Sequence, residues 1–253
     1  VLKSFDISHR CAKVQPMDAL TAKSEATYAT IIDAGCEMAA SEGIGKLSLG
    51  EISKRTGISK SGVFSRVGSL EALDVLSSAA CVIAEGEVLQ LSVAKNMETT
   101  EDDYLSVIRA KTAALFAAAA EVGPIVAETS KSNRNALKSY GMNLGLAFQL
   151  VDDALDYGGK AADLGKNVGD DFREGKITLP VILAYRRGTE DERAFWRDAI
   201  EAGNSTDANL EKALGLITKY GTLSDTIGRA IHYGTIARDA LAPLPDTVWK
   251  SAL

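Results

Sequence analysis

The sequence predicts an all-α protein, and three observations carry that expectation. Only five prolines (Pro16, Pro124, Pro180, Pro243 and Pro245) occur in 253 residues, so long stretches are free of the strongest helix breaker. Apolar residues recur at helical spacing, as in Leu210, Leu214 and Ile217, or Tyr104, Leu105, Ile108, Leu115 and Phe116. No stretch alternates apolar and polar residues with the period of two that a half-buried strand requires. Helix breaks are expected near 43–47, 57–58, 68, 96–101, 123–124, 158–175, 188, 203–206 and 221.

Composition narrows the class. A chain of 253 residues allows one large domain or two modest ones. Hydrophobic residues make up 46% and charged residues 25%, which argues against disorder and against a fibre. The longest apolar candidate, Ala113–Ala120, is bounded by Lys111 and Glu121, far short of the roughly 20 residues of a membrane span, so no stable membrane insertion is expected. Residues 1–21 read as a tail with no signal-peptide core, and Met17 is an alternative start. Three cysteines (Cys11, Cys36 and Cys81), none close to another in sequence, suggest a reducing cytoplasm. With only His9 and His232 present, a histidine-based triad or histidine-rich metal site is not expected.

Charge is unevenly placed. Residues 1–73 carry nine Lys/Arg against eight Asp/Glu, while the whole chain has a net charge of −6. Within 44–66, Lys46, Lys54, Arg55, Lys60 and Arg66 face Glu51 alone, a local basic cluster suited to a polyanion or to a solvated face.

The first helix is expected over 24–42, with Ala26, Ile31, Ile32, Ala34, Met38 and Ala39 inside and Gly43 and Gly45 ending it. Ser48 caps a short second helix, with Glu51 three residues on as a capping-box partner. That helix turns Ile52 inward and Lys54 and Arg55 outward. Gly57 permits a sharp turn, and Ser59 caps a third helix whose first turn (Ser59, Lys60, Ser61, Gly62) is small and polar. Such a turn can approach base edges and phosphates without steric conflict.

The string LSLGEISKRTGISKSGVFSRVGSLEAL resembles the DNA-binding domain of TetR-type transcription regulators, over residues 22–73. The resemblance implies a helix-turn-helix module that meets duplex DNA through Ser48, Ser59, Lys60, Ser61, Gly62, Phe64 and Arg66. Phe64 stands where that family often has a phosphate-contacting tyrosine, and Leu70 where it often has a lysine or arginine; each removes a backbone contact.

The second signal is FQLVDDALDYGGKAADLGKNVGDDFREGKITLP, residues 148–180. On a helix, Asp152 and Asp156 are four apart and Asp153 and Asp156 three apart, so the three carboxylates can converge on one side. Unpaired like charges at that spacing oppose helix formation by about 0.2–0.5 kcal/mol per pair, and a cation offsets the repulsion. Mg2+ suits such donors, with hard oxygen ligands completed by water and phosphate. The loop beyond carries Lys166, Asp170, Asp171, Arg173 and Lys176, whose lysines bind phosphate as point charges.

This run resembles the second aspartate-rich motif of trans-polyprenyl (octaprenyl-type) diphosphate synthases, and the likeness extends through AEGEVLQLSVAKN and EDDYLSVIRAKTAALFAAAAEVG to cover roughly 70–253. It implies the C-terminal part of an isoprenoid-synthase helical bundle over 74–253. Asp152, Asp153 and Asp156 would hold Mg2+. Lys111, Lys166 and Lys176, with Gln149, would act on an allylic polyprenyl diphosphate. Gln90, Thr112, Phe148 and Asp170 would line the substrate cavity. The implied chemistry is ionisation of the allylic diphosphate and attack by isopentenyl diphosphate.

Two family features are missing from residues 1–83. No DDxxD occurs there, Asp102 and Asp103 lack a third acid at the right spacing, and the glycine-lysine-arginine segment is absent. The two resemblances meet at Gly68–Leu73, which fits both. Three readings stay open: a prenyltransferase-family protein of low intrinsic activity, a transcription regulator with a diphosphate-sensing helical domain, and a hybrid chain without function. Both parent families imply a homodimer. His232 reads as a helix residue without a catalytic role, Cys36 and Cys81 as packing residues, and Trp196 and Trp249 as anchors of the outer helices.

Overall fold

The computed structural model describes residues 19–42, 48–67, 70–158, 168–248 and 250–253; within these, the side chains of 19–25, 39–40, 64–67 and 70 are outside the description. Every regular element among them is helical. They form two compact units that divide between Leu70 and Glu71.

The smaller unit holds α1 (Ala19–Glu42), α2 (Leu49–Thr56) and α3 (Lys60–Val67). Ile31, Met38, Ile52 and Val63 are fully buried and form its core. Ser48 caps α2, its hydroxyl accepting the Glu51 N–H at 3.2 Å. Gly57 ends α2 at φ +70°, a conformation that costs glycine nothing, and its N–H returns to the Ser53 carbonyl. Ser59 then accepts the Gly62 N–H at 3.1 Å and starts α3. Arg55 reaches Glu42 and ties α2 to α1. The helix begins at Ala19, inside the stretch read as tail. Ala26 and Cys36 are exposed rather than inward. Each lies five residues from Ile31, roughly 140° round the helix. Gly43, Gly45, Cys11, His9 and the side chain of Ala39 lie outside the described residues.

The larger unit runs from α4 (Leu70–Val93) through α5 (Glu101–Ile108), a wide π turn (Arg109–Ala113), α6 (Ala114–Val126), α7 (Lys131–Gly158), α8 (Asp170–Arg173), α9 (Leu179–Arg187) and α10 (Glu190–Trp196). A second π turn (Arg197–Glu201), α11 (Asp207–Lys219), α12 (Thr222–Ala240) and a final 3-10 turn (Lys250–Ala252) follow. Thr100 and Asp103 form a reciprocal capping box at α5, and Thr189 and Glu192 another at α10.

The 28-residue α7 is the axis of this unit, packed along α6 and α12. Leu146 and Leu150 of α7 meet Leu179, Ile182, Ile200, Ile217 and Trp196 in one core. The Trp196 ring is fully buried, edge-on to Phe172 at 6.4 Å, so it anchors the core itself as well as its own helix. Trp249 is not described.

Two expectations need correction. Residues 103–116 are not one α-helix. The π turn adds a residue to the register, so Tyr104 and Ile108 are buried as expected, but Leu115 is 51% exposed. Pro124 does not end α6. It sits in the last turn, and the Ala127 N–H still reaches the Gly123 carbonyl. Cys81 is half-buried and His232 lies exposed on α12, edge-on to Tyr233.

Candidate functional site

Five segments of the larger unit converge on a cleft of about 230 Å³. The end of α4 gives Gln90. The π turn gives Lys111 and Thr112. The helix α7 gives Gln149, Asp152 and the buried Asp153. The segment from α8 to the start of α9 gives Asp171, Lys176 and Thr178, and Tyr104 of α5 closes the floor. A volume of that size suits a phosphate-bearing head group rather than a whole drug-sized ligand, which takes roughly 300–1,000 Å³.

The polar groups are wired together. Gln90 Oε1 accepts from Lys111 Nζ at 2.8 Å, and Glu87 lies 3.1 Å from the same nitrogen. Thr112 Oγ1 donates to Gln149 Oε1 at 2.8 Å, and Gln149 Nε2 donates to Asp153 Oδ1 at 2.8 Å. Tyr104 OH donates to Asp153 Oδ2 at 2.6 Å. Lys176 Nζ bridges Asp171 at 2.9 Å and Glu174 at 2.7 Å.

The electrostatics are those of a crowded acid pocket. Burial pushes the Asp153 carboxyl up to about 7, against the pull of Tyr104 and Gln149, and the charges of Asp171 and Asp152 push the same way. Asp156 rises to about 6, from burial and the Asp171 charge, with the N–H groups of Asp171 and Asp170 opposing. Burial also raises the Tyr104 phenol, as does the Asp153 charge. Lys176 loses some basicity to burial but gains more from Glu174 and Asp171, so it is held firmly charged.

Gln90, Lys111, Thr112, Gln149, Asp152, Asp153 and Lys176 therefore share one cleft. Asp156 does not line it. Its Oδ2 accepts the Asp171 N–H at 3.2 Å, and its carbonyl accepts the Gly169 N–H at 2.8 Å, so it secures α8. Gly169, at φ +82°, makes that turn. Asp170 faces Arg173 at 3.3 Å, and its neighbour Asp171 takes the cleft position. Phe148 is 55% exposed, packs on Phe116 with centroids 5.4 Å apart, and is not among the residues that line the cleft. Lys166 lies outside the described residues. Among the described residues, no three His, Cys, Asp or Glu side chains are gathered closely enough to hold a metal unaided. Tyr104 is the residue that sequence reasoning placed only in the core; a buried phenol needs a partner, and that need was the available signal.

In the smaller unit, Ser48, Ser59, Lys60 and Ser61 are exposed and Gly62 half-buried. The side chains of Phe64 and Arg66 are outside the described residues.

Comparison with known proteins gives a consistent answer. The family profile described as polyprenyl synthetase matches residues 56–217. That span starts upstream of the expected 70 and takes in α3. The chain is 46% identical over 187 residues to an octaprenyl diphosphate synthase of Escherichia coli, covering 74% of this chain and 58% of that protein. It is 40% identical over 177 residues to an all-trans-nonaprenyl-diphosphate synthase (geranyl-diphosphate specific) of Rhodobacter capsulatus, covering 70% of this chain and 54% of that one. The chain thus spans less than two thirds of the curated relatives it matches. A decaprenyl diphosphate synthase structure from Rhodobacter capsulatus superposes with a TM-score of 0.71 at 43% identity, covering 95% of this chain and 78% of that one. A polyprenyl synthase from Caulobacter crescentus, complexed with calcium and isoprenyl diphosphate, gives 0.73 at 39% identity, covering 91% and 74%. A match over well over half the chain, with relatives this similar, means that the chain belongs to the polyprenyl synthetase family.

Proposed function

We propose that the larger unit binds the diphosphate of an allylic polyprenyl diphosphate together with Mg2+, in the chemistry of trans-prenyl transfer. The observation that carries this reading is one cleft lined by acids on α7 and α8 and by the amines of Lys111 and Lys176. The related Caulobacter protein, complexed with calcium and isoprenyl diphosphate, supports it.

The residues present fit a hard divalent cation. Asp153 is buried among like charges, and Asp152 and Asp171 share its cleft, so three carboxyls there face two amines, Lys111 and Lys176. Mg2+ is commonly held by one or two carboxylates, with water and substrate phosphates completing its shell. Asp152 and Asp153 are the ligands proposed here. Asp156 contributes by fixing α8. When bound, the cation supplies charge against the oxygens of the departing pyrophosphate.

Lys111 and Lys176 meet the diphosphate as point charges, and Gln90 and Gln149 orient Lys111 and Thr112. In the transfer, the allylic C–O bond breaks and its electron pair leaves with pyrophosphate. The double bond of isopentenyl diphosphate attacks the allylic cation, and a proton is then lost. Residues 1–83 carry no DDxxD. Each missing element of leaving-group stabilisation costs on the order of 10²–10³ in rate, so this chain assayed alone is expected to turn over little. Homodimers in the cytoplasm remain the expected state.

Calorimetry with inorganic pyrophosphate and MgCl2 tests the site. Binding that is lost in Asp152→Ala supports it, and binding unchanged in that variant removes the assignment.

A second reading concerns the smaller unit alone, as a reader of duplex DNA. The Ser48 and Ser59 caps, the Gly57 turn and the exposed Lys54, Arg55, Lys60 and Ser61 support it. A gel shift across a salt series tests it, since affinity falls with a log–log slope of about −0.9 per phosphate neutralised. No shift of any duplex at low salt removes the reading.

A further inference from the structure

Two glycines precede the two cleft glutamines by the same four residues: Gly86 before Gln90 on α4, and Gly145 before Gln149 on α7. Residues four apart lie on one helix face, so each glycine and its glutamine look at the same neighbour. That neighbour is the π turn Arg109–Ala113. A Cβ built at Gly86 falls 2.6 Å from the Lys111 backbone nitrogen and 2.9 Å from the carbonyl carbon and Cβ of Ala110. One built at Gly145 falls 2.6 Å from the Ala113 Cα. These are mostly backbone atoms, which no rotamer change can move aside. The turn is gripped from two sides where α4 and α7 carry only hydrogen.

The glutamines complete the grip one helical turn further on. Gln90 takes the Lys111 ammonium and Gln149 the Thr112 hydroxyl, each at 2.8 Å. A π turn is rare and is sustained by tertiary contact rather than by local preference. Its bond from the Ala114 N–H to the Arg109 carbonyl marks the extra residue. Reversion to α-helical register would rotate the following residues by about 100° relative to those before it. Lys111 and Thr112 would then not both face the cleft.

We propose that Gly86 and Gly145 are positioning residues, a paired Gly-x-x-x-Gln clasp that keeps the Arg109–Ala113 turn wide and so presents Lys111 and Thr112 to the diphosphate. The consequence for affinity rests on the diphosphate reading above; the positioning of Lys111 does not.

The test uses the full chain with 13C-labelled lysine, the Lys111 side-chain resonance being assigned through Lys111→Arg. Gly86→Ala leaves Lys111, Gln90 and Glu87 intact, yet it is expected to move that resonance. It should also weaken pyrophosphate binding in the presence of Mg2+ about tenfold, the scale of one hydrogen bond to a charged group. Gly141→Ala is the control. Its Cβ would press the Phe116 carbonyl at 2.3 Å, beyond the turn, so it should lower the melting temperature and leave the resonance in place. If Gly86→Ala does not fold, Ala110→Val presses the same contact from the other side and must move the resonance. An unmoved Lys111 resonance in folded Gly86→Ala or Ala110→Val overturns the proposal, as does an equal shift in Gly141→Ala. A moved resonance in a chain that binds no pyrophosphate upholds the clasp and refutes the diphosphate reading instead.

Discussion

The bond from Tyr104 OH to Asp153 Oδ2 is the most exposed point of the reasoning to experiment. Both side chains are buried, 3% and 4% accessible, and the contact is 2.6 Å. Tyr104→Phe deletes one oxygen and keeps the ring. A hydrogen bond to a charged group is worth about 1.5–3 kcal/mol. Asp153 keeps Gln149 as a donor but stands among the like charges of Asp152 and Asp171, so the upper half of that range applies. The larger unit runs from Glu71 to Leu253. For a unit of that size 1 kcal/mol shifts the midpoint by about 2–4 °C, so a fall of about 5–12 °C is expected. Thermal and urea unfolding at pH 8, above the value of about 7 at which Asp153 titrates, read it. Asp153→Asn completes a double-mutant cycle, and its amide is accommodated if the Gln149 amide turns over between it and Thr112. A coupling energy of at least about 1 kcal/mol is expected; effects additive within about 0.5 kcal/mol would refute the account.

Further outcomes follow from other contacts. Lys176→Met keeps the stem and removes the charge; pyrophosphate affinity by calorimetry should fall about tenfold, with Lys176→Arg recovering part of it. Glu121 is a buried acid held by Lys138 at 3.0 Å and by Arg134 at 2.8 Å, and Arg134 also reaches Glu71. Burial pushes its carboxyl up, but the hydrogen bonds from Lys138 and Arg134 outweigh this and hold it below the usual 4.5. A lowered value stabilises the fold above the ordinary carboxylate range, and the benefit goes as pH falls through the folded value. Wild type should therefore melt above Glu121→Gln at pH 7 and lose that lead progressively as the pH falls below the usual carboxylate range. A lead that persists unchanged in acid would show that the pair contributes through shape alone.

The helical class, the cleft lysines and the glutamine pair were all legible, because each follows from residue type and spacing along one chain segment. That Asp152 and Asp153 share the cleft was legible for the same reason. Asp156 was read as a third ligand because helical spacing puts it on the same side. Its carboxylate accepts the Asp171 N–H, from a segment fifteen residues away that spacing along α7 cannot reveal. The choice of Asp171 over Asp170 for the cleft depends on how Gly169 starts α8, again a matter of three dimensions. The π turn was invisible for a different reason. Arg109, Ala110, Lys111, Thr112 and Ala113 are compatible with ordinary α-helix, and the cause of the deviation lies on α4 and α7, where glycines admit a close approach. Leu115 was misplaced as a direct consequence, since a pattern counted at 3.6 residues per turn fails once a residue is inserted.

Both cleft amines are already engaged, and this sets how the site must respond to its ligands. Lys176 is shared between Asp171 and Glu174, and Lys111 between Gln90 and Glu87. Pyrophosphate arriving alone competes with those acids for the lysines. On the proposed reading, Mg2+ held by Asp152 and Asp153 shares their cleft with Asp171 and draws on its charge in competition with Lys176. Arriving together, each relieves the other's competition, because an acid neutralised by the cation releases an amine to the anion. Coupling of this kind is reciprocal and typically amounts to about 5–150-fold in affinity. Pyrophosphate should bind more tightly as Mg2+ is raised, and Mg2+ more tightly as pyrophosphate is raised, by the same factor. Asp171→Asn should loosen the hold on Lys176, so that pyrophosphate binds better without Mg2+ and gains less when it is added. Calorimetric titrations at several fixed Mg2+ concentrations decide the matter. A pyrophosphate affinity independent of Mg2+ in wild type, or a gain undiminished in Asp171→Asn, would mean that the lysines and acids of this cleft do not exchange partners.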